Sequence, residues 1–301
     1  MNWTEKYRPV RIEEIRGQRK FVEDASSWIV RNDMPNVLLY GNGGTGKTSA
    51  AIVLAKQFLG ESFSSNYLEI NASQDRRLDT IRDTISTFAS LKSTDDVPFK
   101  VCLLDEFDGM TKDSQRALKR TMERAQNVRF IITCNDEQLV EYPIRSRCAN
   151  YLFSPFNVSD MKEMLLVIIS EEQIEVNNDE LINFCESLNG DMRRAINELQ
   201  ACAFSNSSLK EKTIEFMSKY NEIIKLLSSS QVREGNDLLL KEVYSGRSVK
   251  EIANNLHQCV LEKNLNNDEM FKCLTHIGEM EWRSRSMTPK ILVSWFAAQF
   301  M

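Results

Sequence analysis

The sequence lacks the cysteine and histidine patterns that disulfide frameworks and zinc sites require. It contains seven cysteines and only two histidines, and no two cysteines stand in a C-x-x-C pair. An odd number of scattered cysteines is atypical of a disulfide framework, and zinc sites need closely spaced Cys or His ligands. We therefore expect reduced thiols and no zinc, and we interpret His257 as an ordinary helix-surface or core residue.

Long apolar runs and an excess of positive charge are absent as well. No apolar run reaches the roughly 18 residues that a membrane-spanning helix needs, and the N-terminal segment MNWTEKYRP is charged and unlike a signal peptide. We therefore expect an intracellular protein without membrane association. The net charge of −5 means that any contact with DNA must come from a local basic stripe. No basic nuclear-targeting run is present.

The first half of the sequence alternates strand-length apolar segments with helical patterns. This alternation predicts a parallel sheet covered by helices on both faces. After residue 156 the strand signal ends and amphipathic helical patterns follow. We predict an α/β domain over residues 1–156, a helical domain over 157–206 and a second helical domain over 207–301. The strand-length segments are residues 34–41, 66–73, 99–108, 128–135 and 149–155.

The first of these segments leads into GNGGTGKT, residues 41–48, which fits the pattern G-x-x-x-x-G-K-[ST]. A strand precedes the loop and a helical pattern, residues 49–60, follows it; without these flanks a chance glycine-rich turn would be the alternative. Such a loop turns backbone N–H groups toward an anion at the start of a helix. We expect Lys47 to reach the β and γ phosphates of ATP and Thr48 to hold Mg²⁺. The other loop residues predicted to bind nucleotide are Gly41, Asn42, Gly43, Gly44, Thr45 and Gly46.

Two further segments end in polar residues at predicted strand ends. KVCLLDEFD places Asp105 and Glu106 after an apolar strand, at the edge of the sheet where open α/β folds bind ligands. Asp105 suits the Mg²⁺ shell and Glu106 suits a base that polarises the attacking water, whereas a solvated turn is the alternative for such an acidic pair. FIITCN ends in Asn135, whose amide can bond the γ phosphate or the water, or can simply begin a turn.

A series of short motifs runs in order through the whole chain: EKYRP (5–9), GNGGTGKT (41–48), LEINAS (68–73), LLDEFD (103–108), ALKRTME (117–123), TCN (133–135), IRSRC (144–148), GDMRRAIN (190–197) and IGEMEWR (277–283). Together they resemble the small subunits of replication factor C, the AAA+ sliding-clamp loader. The S-R-C and G-D-M-R-R boxes make this set more specific than a phosphate-binding loop alone. The resemblance implies an α/β P-loop AAA+ domain, a helical lid domain and an all-helical C-terminal collar domain that oligomerises.

The resemblance also implies roles for individual residues. Lys47 and Thr48 correspond to Walker A, and Asp105 and Glu106 correspond to Walker B. Asn135 corresponds to the first sensor. The residues implied to lie near the adenine are Arg8, Pro9, Arg16 and Gly17.

Two arginines complete the implied site. Arg193 corresponds to the second sensor; it follows Asp191, a residue type that caps helices, so that it would lie in the first turn of a lid helix, with Arg194 as the alternative. Arg147 of the S-R-C box corresponds to an arginine finger, which in this family reaches the ATP of a neighbouring subunit. Without the resemblance, a surface salt bridge is the simpler interpretation of Arg147.

Candidate DNA contacts form a basic stripe in SQRALKRTMERAQ, where Arg116, Arg120 and Arg124 recur every four residues on one helix face. The resemblance suggests that this helix and the turn of IRDTI, with Arg82, face duplex DNA inside a spiral of subunits. Phosphate contacts of that kind follow the shape of the duplex and not its sequence. A solvated or salt-bridged face is an equal alternative.

The resemblance therefore implies a sliding-clamp loader small subunit of DNA replication, with ATP and Mg²⁺ as cofactors. Its expected partners are other loader subunits, in a pentameric hetero-oligomer with a large subunit, a ring-shaped clamp and primer-template DNA. The expected compartment is the cytoplasm or nucleoid in an archaeal or viral source and the nucleus in a eukaryote. The alternatives are another AAA+ DNA remodeller or helicase, and a catalytically silent scaffold, against which the intact Lys47, Asp105 and Glu106 argue.

Overall fold

The computed structural model of the chain divides into two compact units, Met1–Ser205 and Asn206–Met301. The sequence-based boundaries at 156/157 and 206/207 stay predictions, and residues 206–208 lie outside the described residues. None of the helices in the described part of the chain has the length and hydropathy that crossing a membrane requires. The structure describes residues 2–72, 78–91, 97–205, 209–229, 231–262, 267–284 and 286–301.

The first unit is built on a parallel β-sheet whose strands fall in the predicted segments. They are β1 (Asn36–Tyr40), β2 (Tyr67–Asn71), β3 (Lys100–Asp105), β4 (Val128–Cys134) and β5 (Cys148–Leu152). The strand order is β2-β3-β4-β1-β5, and each neighbouring pair is parallel. The α/β class predicted from the sequence is therefore confirmed.

Helices precede, connect and follow these strands. They are α1 (Trp3–Lys6), α2 (Arg19–Arg31), α3 (Lys47–Leu59), α4 (Phe63–Asn66), α5 (Leu78–Ser90), α6 (Lys112–Arg124), α7 (Tyr142–Arg145), α8 (Val158–Glu171), α9 (Asn178–Ser187) and α10 (Met192–Ser205). Two of the helices after the sheet begin at asparagine caps: the side chains of Asn157 and Asn177 accept hydrogen bonds from backbone N–H groups of the first turns of α8 and α9. Such caps satisfy donors that the helix itself cannot pair.

The near-continuous apolar sequence of the central strands supplies two core layers. Successive side chains of a strand point to opposite faces of the sheet. Val37 and Leu39 therefore pack in the layer that contains Ala51 of α3, whereas Leu38 packs in the layer that contains Leu118 of α6. All three β1 side chains are fully buried, and burial of such a side chain contributes about 1.5–3 kcal/mol. The sheet is thus covered on both faces, and the loops lie at the ends of its strands.

The loop after β1 lies against the start of α10. Gly44 has a φ of 75°, and a β-carbon on it would stand 1.9 Å from Oδ1 of Asp191. That carboxylate oxygen caps α10 by accepting a bond of 3.0 Å from the backbone N–H of Arg194. The N–H of Met192 in turn donates to the carbonyl of Gly44 over 3.3 Å. At Gly43, by contrast, no heavy atom lies within 4 Å of the β-carbon position.

The regular elements in the described residues of the second unit are all helices. Its helices are α11 (Leu209–Leu227), α12 (Val232–Tyr244), α13 (Val249–Glu262), α14 (Asn267–Arg283) and α15 (Pro289–Ala298). Apolar side chains from these helices form one core, in which Ile223, Leu239, Ile252 and Phe296 are almost fully buried. An amphipathic pattern on each helix is what allows them to bury one shared core.

A buried carboxylate interrupts this apolar core. Glu242 of α12 is fully buried. Its Oε2 accepts a hydrogen bond of 2.9 Å from the Tyr220 hydroxyl and forms an ion pair of 2.7 Å with Arg247. Its Oε1 pairs with the ammonium group of Lys219. A buried charge is tolerated when it is paired and hydrogen-bonded in this way, and removal of its partners is costly.

We expect Gly44→Ala to lower the unfolding free energy of the first unit by about 2 kcal/mol, because the new β-carbon is strained at positive φ and displaces the cap of α10. Thermal unfolding monitored by circular dichroism measures the effect. Gly43→Ala is the matched control and should change stability by less than about 0.5 kcal/mol. Equal losses in the two variants would contradict the close approach at Gly44.

We expect Glu242→Ala to destabilise the second unit by about 3 kcal/mol, because it leaves two cations and a hydroxyl without their shared acceptor. Hydrogen–deuterium exchange of peptides from α12 and α13 reports on this unit separately from the first. Glu234→Gln, an exposed change on the same helix, should leave exchange unchanged. Protection that survives in Glu242→Ala would show that the carboxylate contributes little.

Candidate nucleotide-binding site

The polar residues predicted at the strand ends meet at the carboxyl edge of the sheet. β3, β4 and β1 are adjacent in the strand order, so that the loop after β1 and the residues that follow β3 and β4 border one cavity of about 310 Å³. The carboxyl edge of such a sheet is where open α/β folds bind their ligands. The predicted site residues that line the cavity are Arg8, Pro9, Arg16, Gly43, Gly44, Thr45, Gly46, Lys47, Thr48, Asp105, Glu106, Asn135 and Arg193.

Three further predicted residues lie beside the cavity and do not line it. A β-carbon on Gly41 would stand 2.2 Å from the carbonyl oxygen of Phe153, the residue after β5, so that only glycine lets the chain pass there. Gly17 has a φ of 72° and packs against the ring of Phe156, which itself lines the cavity. Asn42 contributes its backbone carbonyl to the interior of the loop.

Lys47 is held inside the loop by backbone carbonyls. Its ammonium group donates to the carbonyl oxygens of Gly41 and Asn42, each over 2.7 Å, and to Oδ1 of Asn135 over 3.3 Å. The residue is only 9% exposed, and this desolvation is the main cause that lowers the pKa of the Lys47 ammonium group. An anion bound in the loop would favour the charged form again, because opposite charge offsets desolvation.

Thr48 and Asp105 bring two oxygen atoms together at the start of α3. The Thr48 hydroxyl donates to Oδ1 of Asp105 over 2.9 Å. Hydroxyl and carboxylate oxygens are the ligands that Mg²⁺ prefers, and Mg²⁺ commonly completes its shell with water and substrate phosphates. Within the described residues, no group of three or more His, Cys, Asp or Glu side chains could hold a metal ion by itself. A divalent cation at Thr48 and Asp105 would therefore complete its shell with water or with oxygens of a bound ligand.

Glu106 follows Asp105 in a left-handed backbone conformation, with φ of 54°. Its N–H donates to the Thr133 hydroxyl over 3.2 Å, and its carboxylate accepts a long bond of 3.5 Å from Nδ2 of Asn71 on β2. A left-handed conformation costs a non-glycine residue roughly 1–2 kcal/mol. Strain of this kind is found at functional sites, where the surrounding structure maintains it.

Asn135, directly after β4, lies within reach of the loop. Its backbone N–H donates to Oδ2 of Asp108 over 3.2 Å, and its side-chain oxygen accepts the bond from Lys47. The side chain is therefore directed to the loop after β1 from the neighbouring strand. A residue that only began a turn would not need this contact.

On the α10 side of the cavity, the structure separates the two candidate arginines. Arg193 lines the cavity. Arg194 does not, and its guanidinium group forms an ion pair of 2.7 Å with Glu198 one turn further along α10. The geometry thus favours Arg193 over Arg194 as a contact for a bound ligand.

The N-terminal segment closes the cavity from another side. Arg8 pairs with Glu5 over 2.7 Å, while its Nε atom is buried and has no hydrogen-bond partner within the described residues. The Tyr7 hydroxyl donates to Glu172 over 2.8 Å, which ties this segment to the residue after α8. Arg16 is exposed where it borders the cavity.

Arg147 lies at the amino ends of the parallel strands, whereas the cavity lies at their carboxyl ends. It immediately precedes β5, whose first residue, Cys148, pairs with Asn36 at the start of β1. The glycine-rich loop that borders the cavity instead follows Tyr40 at the end of β1. At about 3.3 Å per residue, the length of β1 from Asn36 to Tyr40 separates the two ends by about 13 Å. The Arg147 guanidinium group forms an ion pair of 2.6 Å with Glu123 of α6. Within the single chain, Arg147 therefore makes a surface salt bridge.

The predicted basic stripe occupies one exposed side of α6. Arg116, Arg120 and Arg124 all border a groove of about 720 Å³ that also contains residues of α5. Arg116 additionally pairs with Asp113 over 3.4 Å. The exposed stripe is thus compatible with a contact to DNA, and the ion pair is compatible with a salt-bridged surface. The segment predicted as a turn around Arg82 is instead part of α5, because Ile81 and Ile85 bury the same helix face. The side chain of Arg82 lies outside the described residues.

Sequence reasoning missed several residues that shape the site. Thr133 of β4 contacts both acidic residues, and Asn71 at the end of β2 contacts Glu106. Phe156 and Met192 line the cavity. The polar Thr133 two positions before Asn135 could have indicated a site residue in the sequence. Threonine is common in strands, however, so its presence in β4 does not distinguish it from an ordinary strand residue.

The chain is similar to known proteins over most of its length. Residues 37–156 match the family model described as "ATPase family associated with various cellular activities (AAA)". The chain is 35% identical over 295 residues to a replication factor C small subunit of Methanocella arvoryzae, covering 93% of this chain and 90% of the relative. It is 32% identical over 312 residues to a replication factor C small subunit of Methanosphaera stadtmanae, covering 99% and 97%.

Solved structures support the fold. The RuvB Holliday junction branch migration motor of Thermotoga maritima superposes with a TM-score of 0.59 over 73% of this chain and 79% of that chain, at 18% identity. At that identity the likeness concerns the fold alone. The relatives above, in contrast, exceed 30% identity over nearly the whole chain. The chain belongs to the replication factor C small-subunit family, and its α/β domain is an AAA ATPase domain.

Proposed function

We propose that this chain is an ATPase subunit of a sliding-clamp loader, which converts ATP and water to ADP and phosphate. The observation that carries the proposal is the constellation at the carboxyl edge of the sheet, where Lys47, Asp105, Glu106, Asn135 and Arg193 border one cavity. A buried cation within a glycine-rich loop, an acidic pair and an arginine are groups that phosphoryl transfer to water requires. Family membership supports the same chemistry.

The residues present fit MgATP. The loop turns its glycine backbone toward the cavity at the N-terminus of α3, and helix N-termini favour phosphate. Lys47 would contact the β and γ phosphates, and Thr48 with Asp105 would hold Mg²⁺ through hard oxygen atoms. Bound Mg²⁺ supplies charge neutralisation for the phosphate oxygens. We propose that Arg8, Pro9, Arg16 and Gly17 lie near the base.

Two residues would act on the attacking water. Glu106 is exposed at the cavity, and its carboxylate would orient the water and accept its proton. Asn135, placed beside Lys47, would hydrogen-bond the γ phosphate or the same water. Arg193 would contribute positive charge from the lid side as charge develops on the transferred group.

We further propose that the chain supplies half of a second site. Arg147 lies at the opposite edge of the sheet from Lys47, and its partner Glu123 is a surface residue. An arginine in that position can reach the γ phosphate of a neighbouring subunit but not that of its own. A pentameric hetero-oligomer with a large subunit would bring these groups together, with hydrolysis occurring at the subunit interfaces.

The same proposal covers the macromolecular partners. The assembly would open a ring-shaped clamp and release it on primer-template DNA during replication. The exposed stripe of Arg116, Arg120 and Arg124 supports a contact with the DNA backbone, to which Arg82 would add. Phosphate contacts place a protein on a duplex without reading its sequence, which suits a loader that acts at many primer ends.

We expect Lys47→Ala to weaken ATP binding at least about 10²-fold, and Glu106→Gln to keep ATP affinity within about 3-fold while turnover falls by about 10²–10⁴. Lys47 acts on the ground-state phosphates, whereas the Glu106 carboxylate acts only on the water. Equilibrium ATP binding and single-turnover hydrolysis separate the two effects. Lys56→Ala, an exposed change on the same helix, should alter neither. Loss of ATP binding in Glu106→Gln would show that Glu106 is structural.

We expect Arg147→Ala to leave a subunit's own ATP binding within about 2-fold and to reduce turnover at the adjacent site by about 10³. The reason is that the guanidinium group stabilises the transition state at a neighbouring cavity. The measurement is DNA- and clamp-stimulated ATPase of assemblies whose subunit order is set by covalent linkage.

Mixed assemblies provide the decisive comparison for Arg147. Arg147→Ala subunits combined with Lys47→Ala subunits should retain activity at interfaces where an intact Lys47 faces an intact Arg147. Arg31→Ala, an exposed arginine at the end of α2, is the matched control and should preserve every interface. If Arg147→Ala weakens ATP binding in an isolated subunit, the arginine acts within its own chain and the interface proposal is wrong.

A further inference from the structure

Thr133 is a buried hydroxyl residue in the strand that leads to Asn135. It is 2% exposed, and its neighbours Ile131, Ile132 and Cys134 are buried apolar residues of β4. Valine has the same shape and the same preference for strands. A buried hydroxyl is unfavourable unless it is hydrogen-bonded. The strand alone therefore does not explain why this position carries an oxygen atom.

The hydroxyl of Thr133 contacts both acidic residues of the site. It donates to Oδ1 of Asp105 over 2.5 Å and accepts a hydrogen bond of 3.2 Å from the backbone N–H of Glu106. A hydroxyl group has one proton and two lone pairs, so that it can make both bonds at once. One side chain on β4 thus contacts two consecutive residues at the end of β3.

These two bonds have different consequences. Oδ1 of Asp105 also accepts from the Thr48 hydroxyl, so that Thr133 on β4 and Thr48 at the start of α3 hold the same carboxylate oxygen. Glu106 has a left-handed backbone, and the bond from its N–H to Thr133 anchors the peptide in that conformation. Without this anchor the peptide can relax, and the Glu106 carboxylate would change direction with it.

We propose that Thr133 is a positioning residue for ATP hydrolysis, which holds Asp105 against Thr48 and maintains the left-handed backbone of Glu106. The inference rests on the proposed function, in which Asp105 holds Mg²⁺ and Glu106 activates water. Thr133 does not contact Lys47 in the described hydrogen bonds. Its hydroxyl should therefore affect turnover and the response to Mg²⁺ much more than the binding of the nucleotide.

Two variants of Thr133 test this role in the full chain, assembled with its partners. Thr133→Val removes the hydroxyl and keeps the shape, whereas Thr133→Ser keeps the hydroxyl. We expect turnover to fall about 10²-fold in Thr133→Val, the loss expected from misplacing a reacting group by roughly 1 Å. ATP affinity measured without Mg²⁺ should stay within about 3-fold of the unaltered protein. Thr133→Ser should retain turnover within about 3-fold.

A double-mutant cycle with Glu106→Gln separates positioning from a general loss of structure. Once the carboxylate of Glu106 is absent, its orientation no longer matters. At saturating Mg²⁺, which offsets the weaker hold on Asp105, Thr133→Val should therefore cost little further turnover in that background. A second readout does not depend on turnover. The enhancement of ATP affinity by Mg²⁺ in the full chain should fall about 10-fold in Thr133→Val, as for other residues that orient a metal ligand, and should persist in Thr133→Ser.

The outcomes discriminate between this role and the alternatives. Unchanged turnover in Thr133→Val, an equal loss in Thr133→Ser, or a full additional loss in the Glu106→Gln background would each overturn the inference. If Thr133→Val does not fold, Thr133→Ser and Thr133→Ala differ only in the hydroxyl and replace it in the comparison. Absence of ATP turnover in the unaltered assembly would instead overturn the proposed function, and this inference with it.

Discussion

The buried ammonium group of Lys47 is the constraint on which the site depends. A cation that is only 9% exposed must be compensated, and the loop does so with the carbonyls of Gly41 and Asn42. Turning carbonyls toward one atom forces the loop into a tight path, which glycines allow because they adopt positive φ and admit close neighbours. Gly41 passes Phe153 in this way, and Gly44 meets the cap of α10. The conformation of the loop, and with it the close contact between Gly44 and the cap of α10, is therefore tied to the burial of Lys47.

Parallel strand geometry explains why one chain would hold two unlike halves of an active site. Parallel strands direct all their carboxyl ends to one edge of the sheet, so that the residues after β1, β3 and β4 converge on one cavity. The residues before the strands lie at the other edge, and Arg147 is one of them. The groups proposed to bind phosphate and the proposed finger are therefore separated by the length of a strand. No side-chain movement closes that distance, whereas a second subunit can.

In the second unit, a buried polar network around Glu242 restricts how the helices can pack. Its helices share one apolar core, which many helix arrangements could bury. The carboxylate of Glu242 is compatible with fewer arrangements, because it requires Tyr220, Arg247 and Lys219 to meet it. Such a buried network contributes specificity more than stability in some proteins, and we interpret Glu242 in this sense.

The sequence by itself determined the α/β class, the strand segments and the cluster of Lys47, Thr48, Asp105 and Asn135, because strand periodicity and loop chemistry are local properties. The choice of Arg193 over Arg194 depended on tertiary structure, since both follow the same cap and only packing decides which one borders the cavity. The contacts of Thr133 are also tertiary. A threonine in a strand is unremarkable in sequence, and only the adjacency of β3 and β4 brings its hydroxyl to two carboxylate residues 27 and 28 positions away. Sequence patterns report which residues share an element, but hydrogen bonds between elements exist only once the sheet has formed.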